Sequence, residues 1–321
     1  MEPPPAPHAA RTPTIDLNAL SLGGFAEHLR GTGAPRRLLE LAHDEDLGDP
    51  PCDATGELML GETDTRRVQV RSRSAGIVSG LAFLPDLIEV FADKGQITCW
   101  PHLEDGQAIE PGSVLAELSG DARAIVRIER TLLNLIARMS GIATRTAEFV
   151  GLVDGTTARI CDTRKTTPGL RAFEKYAVRC GGGTTHRMGL YDAVLIKDNH
   201  LAGMAESDYA AALTRVAAAA RGRERPVWFV QVEVDTLDQL ARVLSAPQGT
   251  VDMVLLDNMG TDQLRRAVEM RDAAGSGPLL EASGGVSRES VREIAQTGVD
   301  RISIGGLTHQ AQSLDLGLDA V

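Results

Sequence analysis

Apolar residues recur at helical spacing from Pro35 to Leu47, which predicts a short amphipathic helix turning Leu38, Leu39 and Leu41 inward. The polar stretch from Gly48 to Gly56 then predicts a loop. Alternation takes over downstream. A strand over 67–72, a helix over 84–91 and a strand over 96–100 describe a small α+β sandwich. The stretch DGQAIEPGSVLAELSG, with glycine and proline turns between short apolar runs, predicts two more tight strands. Two helices are expected next, from Arg123 to Arg138 and from Ile142 to Val153, linked at Ser140 and Gly141.

From Ala158 onward the rhythm changes to short apolar runs that end in polar or glycine residues and lead into helices. The runs are ARICD, AVLIK, VWFVQVEVD, DMVLLDN, PLLEASGG and RISIGG, with helical stretches over 209–221, 237–244 and 262–273. Near-continuous hydrophobicity in these runs implies burial on both strand faces. The fold class expected is therefore α/β: an incomplete parallel α/β barrel with an N-terminal α+β sandwich domain. Six clear runs fit an incomplete barrel or one further strand near 179–185, and an open doubly wound sheet is the architectural alternative. The division expected is a disordered proline-rich tail over 1–13, the sandwich domain over 14–140, the barrel catalytic domain over 141–306 and a C-terminal segment, 307–321, packing back on the sandwich.

In a βα barrel the working groups project from the C-terminal ends of the strands. At those ends this chain has Glu233 and Asp235, then Asp257 and Asn258, then Glu281, Ser283, Gly284 and Gly285, then Ser303, Gly305 and Gly306. Carboxylates on middle strands suit a divalent metal or ribose hydroxyls, since Mg²⁺ is commonly held by one or two carboxylates together with substrate phosphates. Small residues at the last two strand ends let bare backbone N–H groups close on a phosphate. Without a ligand, the same glycines would simply make tight turns and the same acids would be solvated.

The 321-residue chain carries 33 Lys plus Arg against 44 Asp plus Glu, a formal charge of -11, which argues against nucleic acid or an anionic membrane as partner. Against that background Arg164, Lys165, Arg171, His186, Arg187 and Lys197 crowd one passage, and a passage so charged must face something anionic. Lys175 and Arg179 are expected instead to be surface cations or structural ion pairs. Gly181, Gly182 and Gly183 would allow close backbone approach to a ligand, or a moving lid. No long apolar run predicts a membrane span and the first residues lack a secretory pattern, so the cytoplasm is the expected location. Cys52, Cys99, Cys161 and Cys180 are scattered without a metal or disulfide pattern and are expected to be reduced.

The motifs DTRKTTPGLR, HRMGLYDAVLIKDNH, VEVD, LLDN, EASGG and ISIGG, in this order, resemble the quinolinate phosphoribosyltransferase family, with ERTLLNLIARMSGIAT and EDLGDPPCDAT as the matching first-domain motifs. The resemblance runs from about Leu38 to Thr308. It implies transfer of phosphoribose from phosphoribosyl pyrophosphate to quinolinate, with release of pyrophosphate and carbon dioxide. It also implies that Arg164, Arg187 and Lys197 hold the quinolinate carboxylates with His186 nearby, and that Lys165 spans the carboxylate side and the pyrophosphate. Ser283, Gly284, Gly305 and Gly306 would grip the 5′-phosphate, and Glu233 and Asp257 would serve Mg²⁺ or the ribose hydroxyls. A homodimer is implied, or a larger assembly of dimers, in which Arg130 reaches the partner's site. The competing readings are a related enzyme acting on another nitrogenous ring and a non-catalytic module that binds a phosphate ligand.

Overall fold

The computed structural model describes residues 15–197, 200, 208–275 and 277–321; the tail expected over 1–13 lies outside them. Two compact units are present. One gathers Thr156–Ala158 and Arg187–Ser303; the other gathers Leu17–Gly155, Arg159–His186 and Ile304–Val321.

The second unit contains helices α1 (Leu22–Gly31), α2 (Ala34–Leu47), α3 (Ala54–Met59), α4 (Leu84–Phe91), α5 (Ala122–Leu152), α6 (Arg171–Cys180) and, near the C-terminus, α11 (Gly306–His309). Its strands are β1 (Thr65–Ser72), β2 (Gly76–Ile77), β3 (Ile97–Pro101), β4 (Ala108–Ile109), β5 (Val114–Asp121), β6 (Arg159–Cys161) and the C-terminal β12 (Leu316–Ala320). A four-stranded antiparallel sheet has the order β12-β1-β5-β3, so the C-terminus covers an edge of β1, with Val70 opposite Leu318. In α2 Leu39 is buried, but Leu41 is 63% exposed, so the inward leucine face is narrower than expected. The loop expected up to Gly56 is cut short by α3, whose first turn is capped by the Asp53 carboxylate accepting the Gly56 N–H at 2.9 Å.

The two helices expected on either side of Ser140 and Gly141 are one helix of 31 residues, α5. Neither residue is a break. Ser140 is buried and its Oγ accepts the Ser79 N–H at 3.0 Å, while a Cβ at Gly141 would overlap the Gln312 carbonyl oxygen. The glycine serves a close backbone crossing, which outweighs its low helix propensity.

The first unit carries β7 (Val194–Ile196), β8 (Val230–Val234), β9 (Met253–Asp257), β10 (Leu279–Ser283) and β11 (Arg301–Ser303), with helices α7 (Tyr209–Arg221), α8 (Leu237–Leu244), α9 (Thr261–Ala273) and α10 (Val291–Ala295). The central strands are buried on both faces, as their continuous hydrophobicity predicts. The six-stranded parallel sheet has the order β6-β11-β10-β9-β8-β7. The first strand thus follows the last, as in a barrel whose circle is broken between β6 and β7, whereas a doubly wound sheet would reverse direction at an interior strand. The further strand considered near 179–185 is reduced to a single parallel bridge between Thr184 and Cys161, because α6 occupies the chain as far as Cys180.

Candidate active site

Parallel register aligns the strand ends of the first unit. Asp257 lies beside Ser283, and Val234, just after Glu233, lies beside Leu256. Glu233 is partly buried and accepts from Lys197 Nζ at 2.6 Å, so two of the expected site residues meet here as an ion pair. Asp257 accepts from the side-chain amide of Asn258 at 2.7 Å. Asn258 is in the left-handed region with φ 54°, and its backbone N–H donates to the Ser283 carbonyl at 2.9 Å. A Cβ at Gly284, itself at φ 95°, would overlap the Asn258 side-chain oxygen. Glycine is thus required there by a specific neighbour, and the loop after β10 closes down on the loop after β9. Asn258, named at the strand end beside Asp257, thus shapes the turn after β10. Its signal was its type, since asparagine tolerates positive φ better than most residues.

Glu281, counted with the strand-end acids, is fully buried and ion-paired with Arg301 at 2.9 Å, so it is a structural group of β10. Ser303 is buried too, its hydroxyl 3.5 Å from the Ala282 carbonyl. Arg187 is buried, with one guanidinium nitrogen 3.4 Å from the Ala193 carbonyl, and the turn after it is closed by the Asp192 carboxylate accepting the Met188 and Gly189 N–H groups at 2.6 and 2.9 Å.

In the second unit Arg164 and Lys165 are exposed, and among the described residues neither side chain has a hydrogen-bond or ion-pair partner. Their loop is nevertheless fixed through its backbone. The Lys165 N–H donates to Thr163 Oγ1 at 2.9 Å and its carbonyl accepts from Thr308 Oγ1 at 2.6 Å. A Cβ at Gly305 would lie 2.5 Å from Lys165 Cδ, so that glycine makes room for the lysine stem. Gly306 opens the single turn of α11, and its carbonyl accepts from Arg145 at 2.8 Å. Arg171 bonds locally, its Nε donating to Thr166 Oγ1 at 2.9 Å. Arg130 is exposed on α5.

His186 is buried, and a charged pair holds its backbone. Asp162 Oδ1 accepts the His186 N–H at 2.8 Å, and Lys175 Nζ lies 2.5 Å from the same carboxylate oxygen and donates to the His186 carbonyl at 3.1 Å. Burial pushes the Asp162 carboxyl up from its usual range, while Lys175 and the His186 N–H pull it back. Lys175 is thus the structural ion pair of the two readings open to it. Arg179 is anchored to the Leu17 and Leu20 carbonyls and lies over the Phe25 ring. Two of the three glycines that follow are packing residues and the middle one turns the chain: a Cβ at Gly181 would overlap the Ala143 carbonyl, one at Gly183 would press on Val178 and Thr146, and Gly182 is at φ 82°. Helix α6 is itself locked by Phe173 and Tyr176 against Phe83, ring centres 4.9 and 5.0 Å apart, and by the Tyr176 hydroxyl donating to Asp105 at 2.9 Å.

No group of three or more His, Cys, Asp or Glu side chains among the described residues forms a ready metal cage. No helix among them is long and apolar enough to cross a membrane. All four cysteines are free thiols.

The chain is 39% identical over 284 residues to the probable nicotinate-nucleotide pyrophosphorylase (carboxylating) of Bacillus subtilis, covering 88% of this chain and 92% of that one. It is 45% identical over 248 residues to the nicotinate-nucleotide pyrophosphorylase (carboxylating) of Mycobacterium leprae, covering 77% and 84%. The solved structure of the nicotinate-nucleotide pyrophosphorylase from Francisella tularensis superposes with a TM-score of 0.80 at 33% identity, covering 96% of this chain and all of that one. The sequence profile of the quinolinate phosphoribosyl transferase N-terminal domain matches residues 53–140 and that of the C-terminal domain residues 142–319, and the chain belongs to that family.

Proposed function

We infer that this enzyme joins quinolinate to phosphoribosyl pyrophosphate and releases pyrophosphate and carbon dioxide, forming nicotinic acid mononucleotide. The observation that carries the reading is the pair of exposed cations, Arg164 and Lys165, on a loop fixed through its backbone in a protein of charge -11. Cations held ready without a counter-charge among their described neighbours suit a dicarboxylate and a pyrophosphate.

In this proposal Arg164, Arg187 and Lys197 hold the quinolinate carboxylates with His186 nearby, and Lys165 serves both the carboxylate side and the pyrophosphate. Ser283, Gly284, Gly305 and Gly306 receive the 5′-phosphate. Departure of pyrophosphate leaves oxocarbenium character at the anomeric carbon, so the protein's task is to align the ring nitrogen and to stabilise charge on the leaving group. The ribosylated ring nitrogen is cationic and stabilises the carbanion left when the adjacent carboxylate departs as carbon dioxide; a proton from solvent then completes that ring carbon, so decarboxylation is largely the ribosylated intermediate's own chemistry. Glu233 and Asp257 are hard oxygen donors near the ends of adjacent strands and fit Mg²⁺ brought in on the pyrophosphate, with substrate oxygens completing its shell. Such an ion would draw charge towards the leaving oxygens. We further propose a cytoplasmic homodimer in which Arg130, exposed on α5, serves the partner's site.

The test is one assay with quinolinate, phosphoribosyl pyrophosphate and Mg²⁺, scored for pyrophosphate and carbon dioxide together, with nicotinate as the control acceptor and chelator added in a parallel series. Equal release of both products from quinolinate, none from nicotinate and loss of turnover with chelator are expected. Turnover of nicotinate would point to the non-decarboxylating relative. Substrate binding without turnover would point to a binding module.

A further inference from the structure

We propose that Glu174 and Arg138 are positioning residues that set the loop carrying Arg164 and Lys165, and that through it they control the affinity for the anionic acceptor; this rests on the role given to Arg164 above. Glu174 sits in the first turn of α6 and is almost wholly buried. A buried carboxylate is costly unless its oxygens are satisfied, and where they are satisfied shows what the group holds. Oε2 accepts the Thr167 backbone N–H at 2.9 Å, and Oε1 accepts the Thr167 hydroxyl at 3.0 Å and Arg138 at 3.1 Å.

Arg138 extends the same device. Beyond Glu174 it donates to the Thr308 and Ala311 carbonyls, both at 2.6 Å, and Thr308 in turn holds the Lys165 carbonyl through its hydroxyl. The loop from Thr163 to Thr167 is therefore gripped at Lys165 and at Thr167 by groups that trace back to one ion pair, in which Glu174 is buried and Arg138 partly so. Between and beside those grips the Arg164 and Lys165 side chains extend into solvent. A helix-terminal acid serving the macrodipole alone would need no contact with Thr167. Two hydrogen bonds to a single loop residue make the loop the object held.

The discriminating variant is Glu174→Gln in the full-length enzyme. Whichever way the new amide turns, one edge that accepted a proton becomes a donor facing the Thr167 N–H or Arg138, so the grip fails at nearly constant volume. The quinolinate KM is expected to rise about five- to twentyfold with kcat lowered less than about threefold, as for loss of ground-state positioning. In an Arg164→Ala background the same substitution is expected to raise the quinolinate KM by less than about threefold, because it acts on that constant mainly through Arg164 and the remainder passes through Lys165. Thr167→Val, at an exposed residue, removes one donor without disturbing the core and should show the same non-additivity at smaller scale, which carries the test if Glu174→Gln fails to fold. Equal factors in both backgrounds, or a wild-type KM in either variant, would overturn the inference while leaving the function intact. A wild-type enzyme inert towards quinolinate overturns the functional reading and this inference with it.

Discussion

Each cation in the basic passage has a separate fate, decided by what lies within hydrogen-bond reach. Lys175 and Lys165 have the same side chain, yet one is wholly buried on Asp162 and the other is exposed with its stem against Gly305. Two residue-scale predictions follow from that contrast. Lys175→Met leaves Asp162 buried without its cation and should cost about 3–5 kcal/mol, read from urea unfolding; a loss below about 1 kcal/mol would mean that the site relaxes or hydrates. Arg164→Ala removes an exposed side chain, so stability should hold while the quinolinate KM rises by at least about tenfold, the equivalent of a charge-assisted contact of about 1.5–3 kcal/mol. Equal effects on quinolinate and phosphoribosyl pyrophosphate would remove Arg164 from the carboxylate role. The sequence showed that these cations cluster, but not which of them are spent on the fold. That depends on Asp162, Glu174 and Thr308, which come from different elements.

At the scale of elements, helices were legible wherever local signals agreed. Helix α7 over Tyr209–Arg221 and α8 over Leu237–Leu244 have the expected bounds, and α8 begins on a Thr236–Gln239 capping box. Helix α6 was missed because its buried positions include Glu174 and Lys175, so its polar composition hid a core element. Helix α5 was split at Ser140 and Gly141 because a glycine inside a helix carries no label saying whether it ends the helix or admits a neighbour. Gly141→Ala separates those meanings. Alanine is the better helix former by about 1 kcal/mol, yet its methyl would meet the Gln312 carbonyl, and the expected result is a net loss of about 1–3 kcal/mol with an unchanged denaturant slope. A stabilised variant would show that the crossing yields freely.

At the scale of the molecule, Arg130 links chemistry to assembly. Assayed at quinolinate well below the raised KM, Arg130→Ala and Arg164→Ala proteins should each be nearly inactive. If Arg130 serves the partner's site, unfolding and refolding them as an equal mixture should restore about a quarter of wild-type activity, because half the dimers are mixed and one of the two sites in each is intact. No recovery would confine Arg130 to its own chain. The assay reports a shared site directly, which a measurement of mass alone would not.

By itself the sequence determined the parallel α/β class, the position of glycines and carboxylates at successive strand ends and the family, because hydrophobic periodicity and long ordered motifs are properties of neighbouring residues. Tertiary structure decided the rest. It joined Thr184 to β6 in place of a full strand, turned Gly181 and Gly183 from a lid into packing and made Gly284 a requirement of Asn258. Among the cations it separated structural Lys175 from exposed Arg164 and Lys165. Each outcome turns on atoms a few ångströms apart from residues distant in the chain, and excluded volume and desolvation act on that separation, whereas the periodicity of a sequence records only what lies next to what.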